Sequence, residues 1–526
     1  MDSESNQDSD SRIELLLEER QQLTDELVRE PYDFILYLKR AVCYTHLAYP
    51  DLAAGDAYRA LMLTDEARDE SFEYHEQVLE ALQKYNVDKL PEVFDHGLLL
   101  DLAQDVAHGP TLLANLGAVR SYQILAMGLL LCGSLQSAYK FCERGLQAAP
   151  TNSELRNIHG YIETVGQRRI RRKITSLHDL PDWGMVRREV YPWNQYEPDR
   201  FSQESLGFLN ERLSAMAPKC AVRVATLPVL LDNASNTDGY EVIPTCKQLG
   251  VFATQDIAAG ETVLEEYSLI TANNRLKDTF FAANTVSSRH KSCTIPPCAK
   301  KEVDSIAKDT DAKDADEALH LLLLARVLAM ATHQGIHPLE VSQIKYIWGD
   351  FVPTKWNEID LSPNAGPPPD WTLPFSFSFN IETPLHILEK MDIDIYATLA
   401  EHDLWVLNTL YSKTRGTASA RKNPRDGRPD VAAVHPFWCL ANHDCDPNVT
   451  WEWGGRMVLY AREQRVVGNR PGGIKSGEEI LNHYCDVTLP VHDRREWASG
   501  SLGGWCMCAR CKREAGESAP NGVASQ

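Results

Sequence analysis

The sequence predicts an α+β protein. An all-α array of helical repeats comes first, followed by a β-rich domain that is interrupted by a long helical insertion and closed by a zinc-binding tail. Three features predict this order. Residues 31–66 and 119–152 have the spacing of paired helices, residues 220–272 alternate like strands, and Cys506, Cys508 and Cys511 lie close together near the C-terminus.

Composition limits the class of protein. A chain of 526 residues is long for one core and predicts two or three domains. The formal net charge of −21 argues against broad contact with nucleic-acid phosphates and suits a basic partner such as a lysine-rich tail. The most apolar run, 319–331, is too short to span a bilayer, and the N-terminus has no secretory signal. Thirteen cysteines then predict free thiols and metal ligands, in the nucleus or the cytoplasm.

The helical array follows an acidic segment, residues 1–30. Small and aromatic residues recur at the offsets of a tetratricopeptide (TPR) repeat, and this resemblance extends the predicted array over residues 31–165. Its predicted use is to bind a protein partner; the alternative is a helical cap that stabilises the rest of the chain. A linker, residues 166–214, follows the array. The matching positions are Tyr37, Ala41, Tyr44, Ala53 and Ala60 in one repeat and Tyr122, Ala126, Gly133, Ala138 and Pro150 in the other.

Strand signals begin near Cys220. The stretch AVRVATLPVL alternates, and QLGVFATQDIAAGETVLEEYSLI predicts two short strands around a turn at 258–260. Gly250 marks a position where the backbone approaches another group closely. A further strand is predicted at 457–462.

The insertion, residues 273–434, is predicted to be mainly helical. Residues 319–330 are apolar on nearly every face and predict a buried helix. A second helix begins at Thr383 with proline in its first turn, and a third covers 395–411. Residues 413–434 are polar and are predicted to form a loop.

The C-terminal cysteines indicate zinc. Three thiols within six residues suit tetrahedral zinc, which takes four sulfur or nitrogen ligands. The spacing leaves the fourth ligand open among Cys439, Cys445 and Cys485, the nearest thiols upstream.

Three segments together resemble the second half of a SET domain, the fold of protein lysine methyltransferases. They are NHDCDPN at 442–448, GEEILNHYCD at 477–486 and WCMCARC at 505–511. The glycine-rich strand around Gly250 resembles the first half, with Gln248 in place of the family's first glycine. This resemblance predicts the two SET halves at 215–272 and 435–490, a post-SET zinc segment at 491–514 and a disordered tail at 515–526.

The whole chain resembles TPR-containing relatives of the SET-and-MYND methyltransferases. Those relatives carry a two-zinc MYND finger in the insertion. Here the insertion holds only Cys293 and Cys298, with His290 nearby, and these cannot build such a finger. The finger is therefore predicted to be lost, or reduced to one site.

The resemblance implies S-adenosylmethionine-dependent N-methylation of lysines in histone or other proteins. It places Tyr484 at the point of transfer, and it implies S-adenosylmethionine and zinc as cofactors. The implied zinc ligands are Cys445, Cys506, Cys508 and Cys511. The implied contacts to S-adenosylmethionine are Leu249, Gly250, Asn408, Asn442, His443, Tyr484 and Trp505.

A second interpretation is an inactive SET scaffold or chromatin adaptor. Gln248 and the degraded finger favour the scaffold. Tyr484, Asn442 and the complete cysteine set favour the enzyme, because a scaffold has no physical need for a phenol at the transfer point. A third interpretation, a nucleic-acid-binding zinc protein, fails on net charge.

Overall fold

The structure is a computed structural model, and it divides the chain into two compact units. The first holds residues 1–193, 295–309 and 350–412, and the second holds 194–294, 310–349 and 413–526. Cys293, Cys298, His290 and most of the C-terminal tail lie outside the described residues, so the predictions made for them stay predictions. The described residues are 2–85, 89–94, 109–170, 176–228, 245–273, 312–349, 351–352, 359, 361–368, 370–422, 429–468, 470–502 and 504–516.

The N-terminal part of the first unit is helical. Local signals define the helix ends: the Asp33 carboxylate accepts from the amides of Ile35 and Leu36, and Gly133, with φ +86°, ends a long helix in the left-handed conformation. The helices are α1 (Asp2–Arg29), α2 (Phe34–His46), α3 (Pro50–Glu66), α4 (His75–Leu82), α5 (Pro110–Cys132), α6 (Leu135–Ala148) and α7 (Ser153–Ile170).

Both predicted helix pairs are present, as α2 with α3 and α5 with α6. Small residues let the helices approach closely: Ala41, Ala53 and Ala60 are fully buried. A Cβ on Gly128 of α5 would lie 2.7 Å from the carbonyl oxygen of Pro50. The assignment of these pairs to TPR repeats stays a prediction.

Part of the insertion packs on α2 and α3. Strand β6 (Leu373–Phe375) pairs antiparallel with β1 (Gly184–Val186), and a π-helical turn (Ser378–Glu382) leads into α11 (Thr383–Glu389). The rings of Tyr58 and Phe377 are 4.9 Å apart, and Arg59 donates to the carbonyl of His402 at 3.0 Å. This face of the array is thus covered by the chain itself, and the partner predicted for the array stays a prediction.

The predicted helix at 395–411 is wrong in its continuity. Two helices are present, α12 (Leu399–His402) and α13 (Leu404–Thr417), with Asp403 between them in an extended conformation. The Asp403 carboxylate accepts from the amide of Leu404 at 2.8 Å and pairs with the buried guanidinium of Arg40 at 3.1 Å. The two helices are therefore separated at Asp403, whose extended backbone and buried ion pair with Arg40 lie at the break.

The described residues of the second unit form three small antiparallel sheets. The predicted strands near Cys220, on either side of the 258–260 turn and at 457–462 are confirmed, and the predicted buried helix lies within α9. The first sheet is β2 (Cys220–Pro228) with β3 (Thr245–Ala253). The second has the order β4 (Thr262–Tyr267), β10 (Arg456–Ala461), β9 (Val449–Trp453), and the third β5 (Ile270–Asn273), β8 (Pro429–Val434), β7 (Ala418–Lys422). The helices are α8 (Gln203–Met216), α9 (Ala312–Gln334) and α10 (Ser342–Lys345).

The loop predicted at 413–434 is wrong. Helix α13 continues to Thr417, β7 follows, and β8 is the central strand of its sheet. Val434 pairs with Ile270 on one side and with Ala418 on the other. The short run PDVAAV becomes a buried strand because β7, just upstream, pairs with one edge and β5, far upstream, pairs with the other.

An extended segment, residues 477–484, joins the two halves of the SET-like region. On one side, the amide of Ile480 donates to Val251 of β3 at 2.7 Å. On the other side, the amide of Asn482 donates to Asn442 at 2.8 Å. This segment thereby places the NHDC and YCD residues beside the glycine-bearing strand.

Two short helices end the described chain, α14 (Val491–Leu502) and α15 (Ala509–Glu514). Among the described helices, none combines the length and the apolar character needed to cross a bilayer.

Candidate active site and thiol cluster

Tyr484 is held by the NHDC segment. Its hydroxyl donates to the carbonyl of Ala441 at 3.0 Å, and its amide donates to Nδ1 of His443 at 3.0 Å. The two rings lie 5.3 Å apart. Phenol and imidazole are therefore fixed in position by neighbouring backbone and side-chain groups.

Asn442 connects the two SET-like halves. Its side-chain amide donates to the carbonyl of Leu249 at 3.0 Å and to the Glu479 carboxylate at 2.7 Å. Burial raises the pKa of Glu479, and the hydrogen bond from Asn442 opposes this rise. A Cβ on Gly250 would lie 2.4 Å from the Glu479 carboxylate oxygen, so the glycine leaves room for this carboxylate to bond to Asn442.

Gln248, which replaces the family's first glycine, is engaged within the second unit. Its side-chain oxygen accepts from Arg200 at 3.1 Å and from the amide of Leu249 at 3.1 Å. The substitution thus adds an ordered side chain at the start of the glycine-bearing segment, and the strand remains paired with β2.

A fully buried amide lies beside these residues. Asn482 is 0% exposed, and its Oδ1 accepts from the amide of His483 at 2.7 Å. Its Nδ2 has no hydrogen-bond partner among the described residues. A buried donor of this kind is costly unless a ligand or water accepts from it, so the site suits a ligand with an acceptor group.

Four thiols meet in one cluster. Cys445, Cys506, Cys508 and Cys511 have sulfur atoms within 4.8 Å of one another, and Cys445 is 3.9 Å from Cys506 and 3.4 Å from Cys511. Tetrahedral zinc with Zn–S distances of about 2.3 Å holds its sulfurs about 3.8 Å apart. The geometry therefore suits zinc, and of the three upstream thiols it is Cys445 that joins the C-terminal three.

Charged and polar groups surround the cluster. Arg494, whose side chain is fully buried, donates to the Cys511 sulfur at 3.5 Å, and Nε2 of His443 lies 3.4 Å from the Cys445 sulfur. Because Nδ1 of His443 accepts a hydrogen bond, Nε2 carries the ring hydrogen and donates to that sulfur. Interaction with the neighbouring Cys485 thiol is the main cause that lowers the pKa of Cys445. Such donors stabilise a dense group of thiolates around a metal.

Two of the residues predicted to contact S-adenosylmethionine interact with other groups of the protein. The guanidinium of Arg495 is 5.3 Å from the ring centre of half-buried Trp505, so this ring already contacts a cation. Asn408 belongs to the first unit, where its amide donates to the buried carboxylate of Asp51 at 2.9 Å. Their roles in cofactor binding stay predictions.

The sequence predicted no role for Glu479 or Arg494, and it predicted Cys485 only as one of three candidates for the fourth zinc ligand. Glu479 is the second glutamate of the GEEI motif, and its place in that motif was the available sequence signal. In the structure its carboxylate accepts from Asn442. Cys485 lies within YCD, but its closeness to Cys445 depends on the fold. Arg494 has no sequence signal, because its role follows from burial against the cluster.

Comparisons with known proteins agree with this geometry. Residues 248–485 match the SET domain family. The chain is 38% identical over 77 residues to histone-lysine N-methyltransferase SET5 of Eremothecium gossypii, covering 14% of this chain and 13% of the relative. It is 34% identical over 80 residues to human N-lysine methyltransferase SMYD2, covering 15% and 17%.

A third relative is a SET and MYND domain-containing protein of Dictyostelium discoideum, 29% identical over 114 residues, which are 21% of each chain. The chain thus spans 13–21% of the length of these curated relatives. The range that matches the SET domain family, 248–485, contains Gly250, Asn442, His443 and Tyr484. Residues 248–485 therefore contain a SET domain, and shorter stretches of the chain are similar to proteins named as lysine methyltransferases.

Proposed function

We propose that the chain is an S-adenosylmethionine-dependent protein-lysine N-methyltransferase with one structural zinc. The observation that supports this most is the meeting of Tyr484, Asn442 and the Leu249–Gly250 backbone around the 477–484 segment. An inactive scaffold would be stable without a phenol held at this point.

The cofactor supplies an electrophilic methyl group on a sulfonium. Asn442, His443 and the backbone at 249–250 would hold its amino-acid part, and the unmatched Nδ2 of Asn482 is a suitable donor to its carboxylate. Gln248 would narrow the space beside Leu249 that the cofactor enters, because a hydrogen bond from Arg200 holds the Gln248 side chain there. These contacts orient the cofactor without a covalent bond to the protein.

The chain's own residues must supply a neutral, aligned lysine. A free lysine has a pKa of about 10.4, so only about one in a thousand is neutral near pH 7.4. A low-dielectric channel and a nearby cation both lower that pKa. Tyr484, anchored to the Ala441 carbonyl, would orient the amine through its oxygen, since a phenol can accept as well as donate. Alignment then provides much of the acceleration.

The zinc ligands would be Cys445, Cys506, Cys508 and Cys511. Their proposed role is structural, because four sulfurs fill a tetrahedral site and leave no position for water or substrate. The metal would fasten α15 to the NHDC segment and so support Asn442 and Tyr484.

The test is transfer of a labelled methyl group. The purified chain is incubated with labelled S-adenosylmethionine and a cell extract, and labelled proteins are separated and identified. We expect label in discrete proteins, and none in an extract whose lysines were acetylated beforehand. Bound cofactor by calorimetry with no labelled protein in any extract would contradict the enzyme and favour the scaffold.

Asn442→Ala is expected to weaken S-adenosylmethionine binding and to lower the melting temperature. The first effect follows from a lost polar contact; the second follows because the Glu479 carboxylate and the Leu249 carbonyl lose a donor, at about 1–3 kcal/mol for an unsatisfied buried group. Calorimetry well below the melting temperature measures affinity separately from stability.

Asn448→Ala is the matched control for this prediction. The Asn448 side-chain amide bonds to the backbone of the 477–484 segment. Its Nδ2 donates to the carbonyl of Glu479 at 2.7 Å, and its Oδ1 accepts from the amide of Leu481 at 2.7 Å. We expect it to lower the melting temperature with a smaller loss of affinity. Equal affinity in wild type and Asn442→Ala would place the cofactor elsewhere.

A further inference from the structure

A fifth thiol touches the four-thiol cluster. Cys485 is 3% exposed, and its sulfur lies within 4.8 Å of both the Cys445 sulfur and a ring nitrogen of His443. It is absent from the group formed by Cys445, Cys506, Cys508 and Cys511. Since four thiolates complete a tetrahedral zinc site, Cys485 is a non-ligand thiol in contact with a ligand.

We propose that Cys445 and Cys485 are an oxidation site, at which a reversible disulfide forms and removes one ligand from the zinc. This rests on the zinc site of the proposed function and adds a form of regulation to it. The oxidant is a peroxide. The Cys445 sulfur attacks one peroxide oxygen, the O–O bond breaks, and hydroxide leaves and takes up a proton as water, giving a sulfenic acid.

The second step closes the disulfide. The Cys485 sulfur attacks the Cys445 sulfur, an S–S bond forms, and the S–O bond breaks, releasing a second water once its proton is supplied. Two thiols and one hydrogen peroxide thus give one disulfide and two waters. Two electrons pass from the sulfurs to the peroxide, and the zinc keeps its charge while losing a thiolate.

Position favours Cys485 as the partner. In the metal-loaded chain the other three sulfurs near Cys445 are committed to zinc, whereas Cys485 is not. Cys439 is the nearest alternative in sequence, but its sulfur donates to the carbonyl of Thr417 at 3.2 Å. A sulfenic acid on Cys445 would therefore meet Cys485 first.

The same disulfide would act on the proposed active site. Cys485 directly follows Tyr484, and Cys445 follows Asn442 and His443 in the NHDC segment. An S–S bond of about 2.05 Å needs specific Cβ positions, so both backbone segments must adjust when it forms. Loss of the Cys445 ligand also frees α15 from the NHDC segment. Oxidation would thereby disturb both the Tyr484 phenol and the Asn442 side-chain amide.

The test uses the full, zinc-loaded chain treated with hydrogen peroxide. Remaining thiols are alkylated under denaturing conditions, disulfides are mapped by mass spectrometry, and released zinc is followed with a chromogenic chelator. The Cys439→Ser background serves as matched control, because it removes a cluster-independent thiol close to Cys445 in sequence. We expect a Cys445–Cys485 linkage to appear together with zinc release, and reduction with added zinc to restore the metal.

Cys485→Ser provides the second arm. Without the resolving thiol, the sulfenic acid on Cys445 advances to sulfinic acid, so recoverable zinc should fall several-fold relative to wild type. Linkages only among Cys506, Cys508 and Cys511 with Cys485 still alkylated, or full zinc recovery in Cys485→Ser, would overturn the proposal. Zinc content before oxidation is measured separately, so a chain without zinc contradicts the zinc proposal, while the disulfide map decides this one.

Discussion

Replacing Tyr484 with phenylalanine is expected to lower methyl-transfer turnover by ~10–10^3-fold, or roughly 1.4–4 kcal/mol. The change removes one oxygen and with it the 3.0 Å hydrogen bond to the Ala441 carbonyl. The ring, the amide bond to His443 and the thiol cluster are retained. Because the phenol is proposed to orient the amine along the reaction coordinate, turnover should fall more than cofactor affinity.

The measurement is single-turnover transfer to whichever protein the wild type labels, with cofactor affinity from calorimetry. Tyr460→Phe is the matched control, because this substitution also removes one hydroxyl, and Tyr460 lies on β10, outside the proposed pocket. Equal single-turnover rates for wild type and Tyr484→Phe would end the catalytic assignment. A fall in affinity as large as the fall in rate would instead indicate a binding role.

Local signals in the sequence predicted much of the second unit. Alternation identified β2, and the continuous apolar run identified α9. The cysteine spacing predicted a metal site, and the four thiols implied by the resemblance do meet. These succeeded because periodicity and close spacing are properties of short segments.

The failures involve partners that are distant in sequence. Strand β8 lies between β5 and β7, and nothing in PDVAAV reports that two strands will flank it. Helix α13 begins after Asp403, whose carboxylate pairs with Arg40, far upstream. Pairing of this kind follows from tertiary packing, which overrides local propensity.

The largest structural effect is expected from Cys508→Ser, which should remove the bound zinc and much of the stability of the C-terminal segment. Structural zinc contributes on the order of 10 kcal/mol to small folds. Cys508 also caps α15, with its sulfur accepting from the amide of Cys511 at 3.4 Å. Serine is a favourable N-cap, so the substitution preserves the cap and removes the thiolate.

The loss should be local. The main core of the second unit is formed by residues between Leu209 and Ile480. A separate cluster holds Ala498 and the buried cysteines Cys445, Cys485, Cys506 and Cys511. We therefore expect α14 and α15 to lose hydrogen-exchange protection while the sheets keep theirs.

Metal analysis and hydrogen exchange test this prediction, with Cys439→Ser as the control that should keep one zinc per chain. Turnover should fall in Cys508→Ser as well, because Cys445 connects the cluster to the NHDC segment, two residues from His443. If Cys508→Ser retains one zinc per chain, or if the folded wild type contains none, then Cys445, Cys506, Cys508 and Cys511 are not zinc ligands. Buried thiols and the hydrogen bonds of Arg494 and Arg510 would then have to hold the C-terminal segment in place.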